Sequence, residues 1–157
     1  MRAYTSDPGQ SKAALEETLG FQSDGDRAWE VRGEQRGSFY AYDEPPPERG
    51  QGGAGTVHHV AWASPTDEHE AWRQRVAEAG LRPTPVIDRF YFRSVYFREP
   101  SGVLFELATM GPGFTADEPL ETLGEGLSLP PAYEPLRERL EGILTPLPDA
   151  RSARTPN

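Results

Sequence analysis

The chain has 157 residues, 36% hydrophobic and 10% aromatic, enough for one domain with its own core. It contains no Cys, which removes disulfides, thiolate ligands and thiol nucleophiles together. A net charge of −9 argues against nucleic acid as a partner, because phosphate neutralisation needs a basic surface.

No apolar run approaches the length of a bilayer and the first residues form no apolar signal region. No membrane partner is expected, and the expected location is the cytoplasm. Along the chain, Arg2 to Thr5 reads as a short strand. A helix opens at Ser6-Asp7-Pro8 and closes at Leu19-Gly20-Phe21, with Asp7 and Gln10 as a capping-box pair. Strands follow over Arg27 to Arg32 and Ser38 to Tyr42. Residues 44 to 53, rich in Pro and Gly, form a linker.

The same order then recurs. Val57 to Ala63 is a strand, and a helix opens at Ser64-Pro65-Thr66-Asp67 and closes at Ala79-Gly80-Leu81. Strands follow over Pro85 to Asp88, Phe92 to Arg98 and Val103 to Ala108, the last two joined by a turn at Glu99-Pro100-Ser101-Gly102. Pairing Ala61 to Ser64 with Ala3 to Ser6 sets Met1 opposite His59. Beyond the repeats, Gly111 to Pro131 reads as an extended surface segment. Leu136, Leu140, Ile143 and Leu144 recur at helical spacing and predict a packed amphipathic helix over Ala132 to Leu144.

Two side chains stand out. His59 and Glu106 each interrupt an apolar strand, where a polar group is costly unless something pairs with it. Strand alternation puts His59 with Ala61 and Ala63, and Glu106 with Leu104 and Ala108, away from Trp62, Phe105 and Leu107. Ser94, Tyr96 and Arg98 share the matching face of the neighbouring strand. An imidazole, a carboxylate and a phenol on one concave face suit a divalent ion such as Fe(II), Mn(II) or Zn(II). The plain reading also fits the pattern: a core or edge His, a solvent-facing Glu and a core Tyr. His69, between Glu68 and Glu70, reads as a solvated surface residue. Arg89 and Arg93 read as surface charges.

This repeated strand, helix and strands, with His on one first strand and Glu on one last strand, resembles the vicinal oxygen chelate superfamily. That group holds glyoxalase I, bleomycin- and fosfomycin-resistance proteins and type I extradiol dioxygenases. Gly55 to Ala61, Pro85 to Thr109, Pro112 to Phe114 and the Leu-Pro-Pro at 129 to 131 are similar to ring-cleaving dioxygenases of the hydroquinone dioxygenase type. The resemblance implies an α+β fold of two paired βαβββ modules forming a curved, mostly antiparallel sheet, plus a C-terminal helix. Module one would span 1–43, the linker 44–54 and module two 55–114. An extended segment and helix would fill 115–147, with a disordered tail at 148–157.

The resemblance also implies chemistry. His59 and Glu106 would bind Fe(II) or Mn(II), with Zn(II) also a candidate, as two parts of a two-His-one-carboxylate triad. His58, Arg89 and Tyr96 would surround a phenolic substrate, although strict alternation turns His58 away from the His59 face. The activity implied is cleavage of a hydroquinone or catechol ring with O2. Those dioxygenases are longer and carry further repeats; the likeness is to their C-terminal half, and their remaining His ligand lies in the other half. One chain offers two ligands. The third would come from a separate partner or a second copy, the latter giving a shared site of the glyoxalase kind. The other expectation is a non-catalytic protein of the bleomycin-resistance type that binds a drug or another small aromatic.

Overall fold

The structure, a computed structural model, describes residues 1–34, 36–48 and 50–146. The chain forms two compact units. The first comprises Met1–Asp88 and Arg93–Met110; the second comprises Arg89–Phe92 and the chain from Gly111 onward.

The first unit holds β1 (Arg2–Tyr4), β2 (Gln22–Ser23), β3 (Ala28–Arg32), β4 (Gly37–Asp43), β5 (Val60–Ser64), α1 (His69–Glu78), β6 (Ile87–Asp88), β7 (Arg93–Arg98) and β8 (Leu104–Thr109). The α+β class and the two βαβββ repeats are present, but each repeat builds its own sheet. The orders are β1-β4-β3-β2 and β5-β8-β7-β6. In each, the first strand runs parallel to the last and the other pairs are antiparallel.

The two helical stretches differ from their sequence reading. In the first repeat, Asp7 accepts from the Gly9 N–H at 3.0 Å, as a cap should. Gln10 does not close the box; its amide donates to the Thr5 hydroxyl at 3.3 Å. The chain then winds as a 3₁₀ turn over Pro8–Ser11 and a wide π turn over Ala14–Thr18. Gly20, at φ +74°, ends it. In the second repeat the helix starts at His69 rather than at Ser64. The Ser64 hydroxyl lies 2.7 Å from His69 Nδ1 and so caps nothing.

That contact corrects the reading of His69, which is 2% exposed. Burial, with the Arg93 charge adding to it, holds this imidazole below its ordinary pKa.

The core gathers side chains from both repeats: Leu15, Leu19, Phe21, Trp29, Tyr40 and Tyr42 with Val76, Val95, Phe97, Phe105 and Leu107. Aromatic rings bridge the repeats edge to face. Tyr40 lies 5.2 Å from Phe105 and 6.0 Å from Trp62, and Phe21 lies 5.0 Å from Trp62. This packing sets the register of the repeat. Ala3 and Trp62 both pack against the core, while Thr5 and Ser64 are both buried. The equivalence is therefore Ala3 with Trp62, one position away from the sequence alignment, and Met1 falls opposite Val60. A slip of one residue exchanges the two faces of a strand.

A buried carboxylate ties the repeats together. Glu99, 1% exposed, opens the β7–β8 turn. Its Oε2 accepts from the Ser11 hydroxyl at 2.6 Å, the Tyr42 hydroxyl at 2.8 Å and the Ser101 N–H at 3.0 Å. Its Oε1 accepts from the Val103 N–H at 3.0 Å. Ser11 and Tyr42 come from the first repeat. The turn has the expected form, with the Gly102 N–H donating to the Glu99 carbonyl at 2.8 Å and Gly102 at φ +91°.

In the second unit, the Tyr91 hydroxyl and the Ser128 hydroxyl both donate to Asp117 Oδ2, at 2.8 and 2.9 Å. The Gly113 N–H donates to the Tyr91 carbonyl at 2.8 Å. Short turns over Phe114–Ala116 and Leu120–Thr122 precede a 3₁₀ stretch over Pro131–Leu136 and α2 (Arg137–Ile143). The packed amphipathic helix is not what forms. Pro135 withholds an N–H that a continuous α-helix needs, so only its last part is α-helical. Leu136, Ile143 and Leu144 are 43%, 68% and 50% exposed. The tail expected over 148–157 lies outside the described residues.

Removing the Glu99 carboxylate leaves two buried hydroxyls and two part-buried N–H groups without their acceptor. Glu99→Ala should destabilise the protein by about 3 kcal/mol or more, and Tyr42→Phe by about 1–3 kcal/mol. Urea unfolding monitored by tryptophan fluorescence measures both. A loss under about 1 kcal/mol for Glu99→Ala would contradict the clamp.

His69 predicts a pH effect. Its folded pKa lies below the unfolded value of about 6.5, so the unfolded state binds the proton first as pH falls. The stability gained by keeping it neutral is complete above about pH 6.5 and is lost as pH falls from there through the folded pKa. The melting temperature of His69→Gln should fall less steeply than that of wild type between about pH 7 and 5. Equal slopes would refute this.

Candidate functional site

The site lies on the second sheet, on the face away from the core. Ala61 pairs with Glu106, and Glu106 pairs with Tyr96, so the three form one row across β5, β8 and β7. Their neighbours along the strands, Val95, Phe97, Phe105 and Leu107, fill the core from the opposite face. The phase read from the sequence is therefore the phase of the sheet.

His59 directly precedes β5, and its Nε2 lies 2.7 Å from Glu106 Oε2. The Glu106 side chain is 4% exposed and that of His59 33%. The Ser94 hydroxyl, fully buried, donates to the other carboxylate oxygen, Oε1. The Tyr96 ring meets the His59 ring edge on, at 5.7 Å between centroids and 88° between planes.

His58 sits differently from its expected position. Strand alternation would turn it away, but the ladder begins only at Val60, so alternation does not govern residues 58 and 59. The two imidazoles stand edge to face, with Nδ1 of His58 3.0 Å from Nδ1 of His59. One nitrogen must carry the proton and the other accept it. His58, His59, Tyr96 and Glu106 are thus gathered, with Ser94 beneath them. Arg89 belongs to the second compact unit. Arg93 is exposed at the start of β7, as its surface reading requires.

Ser94 and Glu99 carry more than their sequence reading assigned. Ser94 was placed on the right face but without a partner. Glu99 was read only as the first residue of a turn, and no local signal marks its four donors.

The two buried carboxylates of this unit contrast. Glu99 has four neutral donors. Glu106 has one hydroxyl and one imidazole. A buried carboxylate with so few donors is stabilised by positive charge, either a protonated imidazole or a cation held jointly with it. A neutral imidazole nitrogen and a carboxylate oxygen side by side are a donor pair suited to a divalent transition ion. Among the described residues no group of three or more His, Cys, Asp or Glu side chains is placed to hold a metal.

The first repeat does not duplicate the site. The row Arg2, Ala41, Ala28 occupies the place of Ala61, Glu106, Tyr96. Alanines stand where the second repeat has its carboxylate and its phenol. Among the described residues no helix is long and apolar enough to cross a membrane.

Comparison with known proteins matches the chain to one family. The model of the glyoxalase/bleomycin resistance protein/dioxygenase superfamily matches residues 1–107. A Bacillus subtilis (strain 168) protein named "Putative ring-cleaving dioxygenase MhqO" is 52% identical over 99 residues, 62% of this chain and 32% of that protein. The chlorohydroquinone/hydroquinone 1,2-dioxygenase of Sphingobium indicum is 40% identical over 91 residues, 56% of this chain and 28% of that protein. A solved Bacillus subtilis structure, named a "putative dioxygenase", superposes with a TM-score of 0.82 at 38% identity, covering 94% of this chain and 49% of that one. The chain matches about a third of the length of these curated relatives and about half of the solved one. With the family match running from β1 into β8, the protein belongs to the glyoxalase/bleomycin resistance protein/dioxygenase superfamily.

Proposed function

We propose that this chain carries part of the active centre of a ring-cleaving dioxygenase that acts on a hydroquinone or catechol with O2. His59 Nε2 and Glu106 Oε2 would hold a divalent metal, Fe(II) or Mn(II) in preference to Zn(II). The observation that carries this reading is their 2.7 Å convergence on a buried carboxylate with few other donors. The names of the relatives support the reaction and the substrate class.

A bound divalent ion would supply the positive charge that favours an ionised phenol and the redox capacity that ring cleavage with O2 requires. The side chains do the rest. Glu106 and His59 would hold the ion against the sheet. Tyr96, edge on to His59, presents a phenol that can hydrogen-bond a substrate oxygen. With its Nε2 on the ion, His59 would keep its proton on Nδ1 and donate it to His58 Nδ1, so His58 would hold the His59 ring in place. The third protein ligand would come from outside the described residues, from a partner or from a second copy of the chain, a reading supported by the share of the relatives that this chain matches.

Anaerobic reconstitution with Fe(II), followed by oxygen uptake with hydroquinones and catechols, tests the proposal. The wild-type protein should consume O2, and His59→Ala and Glu106→Gln should abolish the uptake. Uptake unchanged in both variants would refute it. One observation favours a second reading, a non-catalytic binder: the described residues offer two metal ligands rather than three. That reading predicts tight binding of a phenolic ligand to metal-free protein, unaffected by His59→Ala, in isothermal titration. Binding lost on metal removal would count against it.

A further inference from the structure

Resting on the metal reading above, we propose that Ser94 is a positioning residue that ties down Glu106 Oε1, so that Glu106 meets the metal through Oε2 alone. Three observations carry this. The Ser94 hydroxyl donates to Oε1, while Oε2 is the oxygen turned to His59 Nε2, so the two oxygens already have separate tasks. Ser94 is fully buried and Glu106 nearly so, so water offers neither a substitute partner. Ser94 lies inside β7, paired with Ala108 two positions along β8 from Glu106, and the ladder on both sides fixes its direction.

For both carboxylate oxygens to bind the ion, the carboxylate would have to turn and carry Oε1 off the Ser94 hydroxyl that fixes its plane, bending that buried hydrogen bond. Holding Oε1 in place therefore favours binding through Oε2 and keeps a further position on the ion open for a substrate oxygen. A carboxylate fixed by a hydrogen bond is also pre-oriented, and loss of such a partner weakens metal binding about 10–100-fold.

The test uses the full-length chain, Zn(II) as the probe and two readouts that do not involve turnover. The first is the Zn(II) dissociation constant. The second is the separation between the antisymmetric and symmetric carboxylate stretches in Zn(II)-minus-apo difference infrared spectra, with Glu106→Gln identifying the Glu106 bands. Wild type should show the wide separation of a one-oxygen ligand. Ser94→Ala should weaken Zn(II) binding about 10–100-fold and narrow the separation, and Ser94→Thr, which keeps the hydroxyl, should restore both. A narrow, two-oxygen separation in wild type overturns the proposal without any variant, which covers the case in which Ser94→Ala fails to fold. Unchanged affinity and separation in Ser94→Ala also overturn it, with the metal reading intact. Equal Zn(II) affinity in wild type and Glu106→Gln overturns the metal reading itself, and the role of Ser94 falls with it.

Discussion

Burying a carboxylate obliges the fold to supply donors or positive charge, and the first unit buries two of them. Glu99 is satisfied by four neutral donors, two of them from the other repeat, and it needs nothing more. It clamps the β7–β8 turn to the first repeat. Glu106, seven positions along the same hairpin, has a serine hydroxyl and an imidazole. The closed network steadies the hairpin, and the hairpin carries the open one. The architecture thus sets one saturated carboxylate beside another that has two side-chain partners.

The duplication of the fold leaves the His59–Glu106 pair in one half. Both repeats build a four-stranded sheet with the same strand order, and both turn aromatic and aliphatic side chains into a common core. Ladder registers make the rows comparable residue by residue. Ala41 and Ala28 in the first repeat stand where Glu106 and Tyr96 stand in the second. The first repeat supplies packing and two of the four Glu99 donors; the second presents the His59–Glu106 pair.

Much of this was legible in the chain. Short strands with period-two patterning set the faces, so the shared face of Ser94, Tyr96 and Glu106 followed from counting alone. Readings failed where a residue lay outside a regular ladder or depended on a distant partner. His58 was turned the wrong way because alternation was applied before the strand begins. His69 looked solvated between two glutamates, but the helix starts at that residue and points it at Ser64. The repeat register slipped by one because Tyr4 was matched to Trp62, although Ala3 is the residue that meets the core. The C-terminal helix had the right apolar spacing, but its prolines shortened it and its apolar residues stay exposed. Glu99 could not be found locally, since Ser11 and Tyr42 lie 88 and 57 positions away.

The central claim is that His59 and Glu106 form one face of a metal site. Anomalous diffraction at the zinc edge, from crystals of the protein grown with Zn(II), addresses it directly. A metal held by both side chains would give one strong peak about 2.0–2.2 Å from both His59 Nε2 and Glu106 Oε2, with any third protein ligand contributed by another molecule. A map with no peak between these two atoms, and with the imidazole still on the carboxylate at its present 2.7 Å, would show an ion pair and contradict the account.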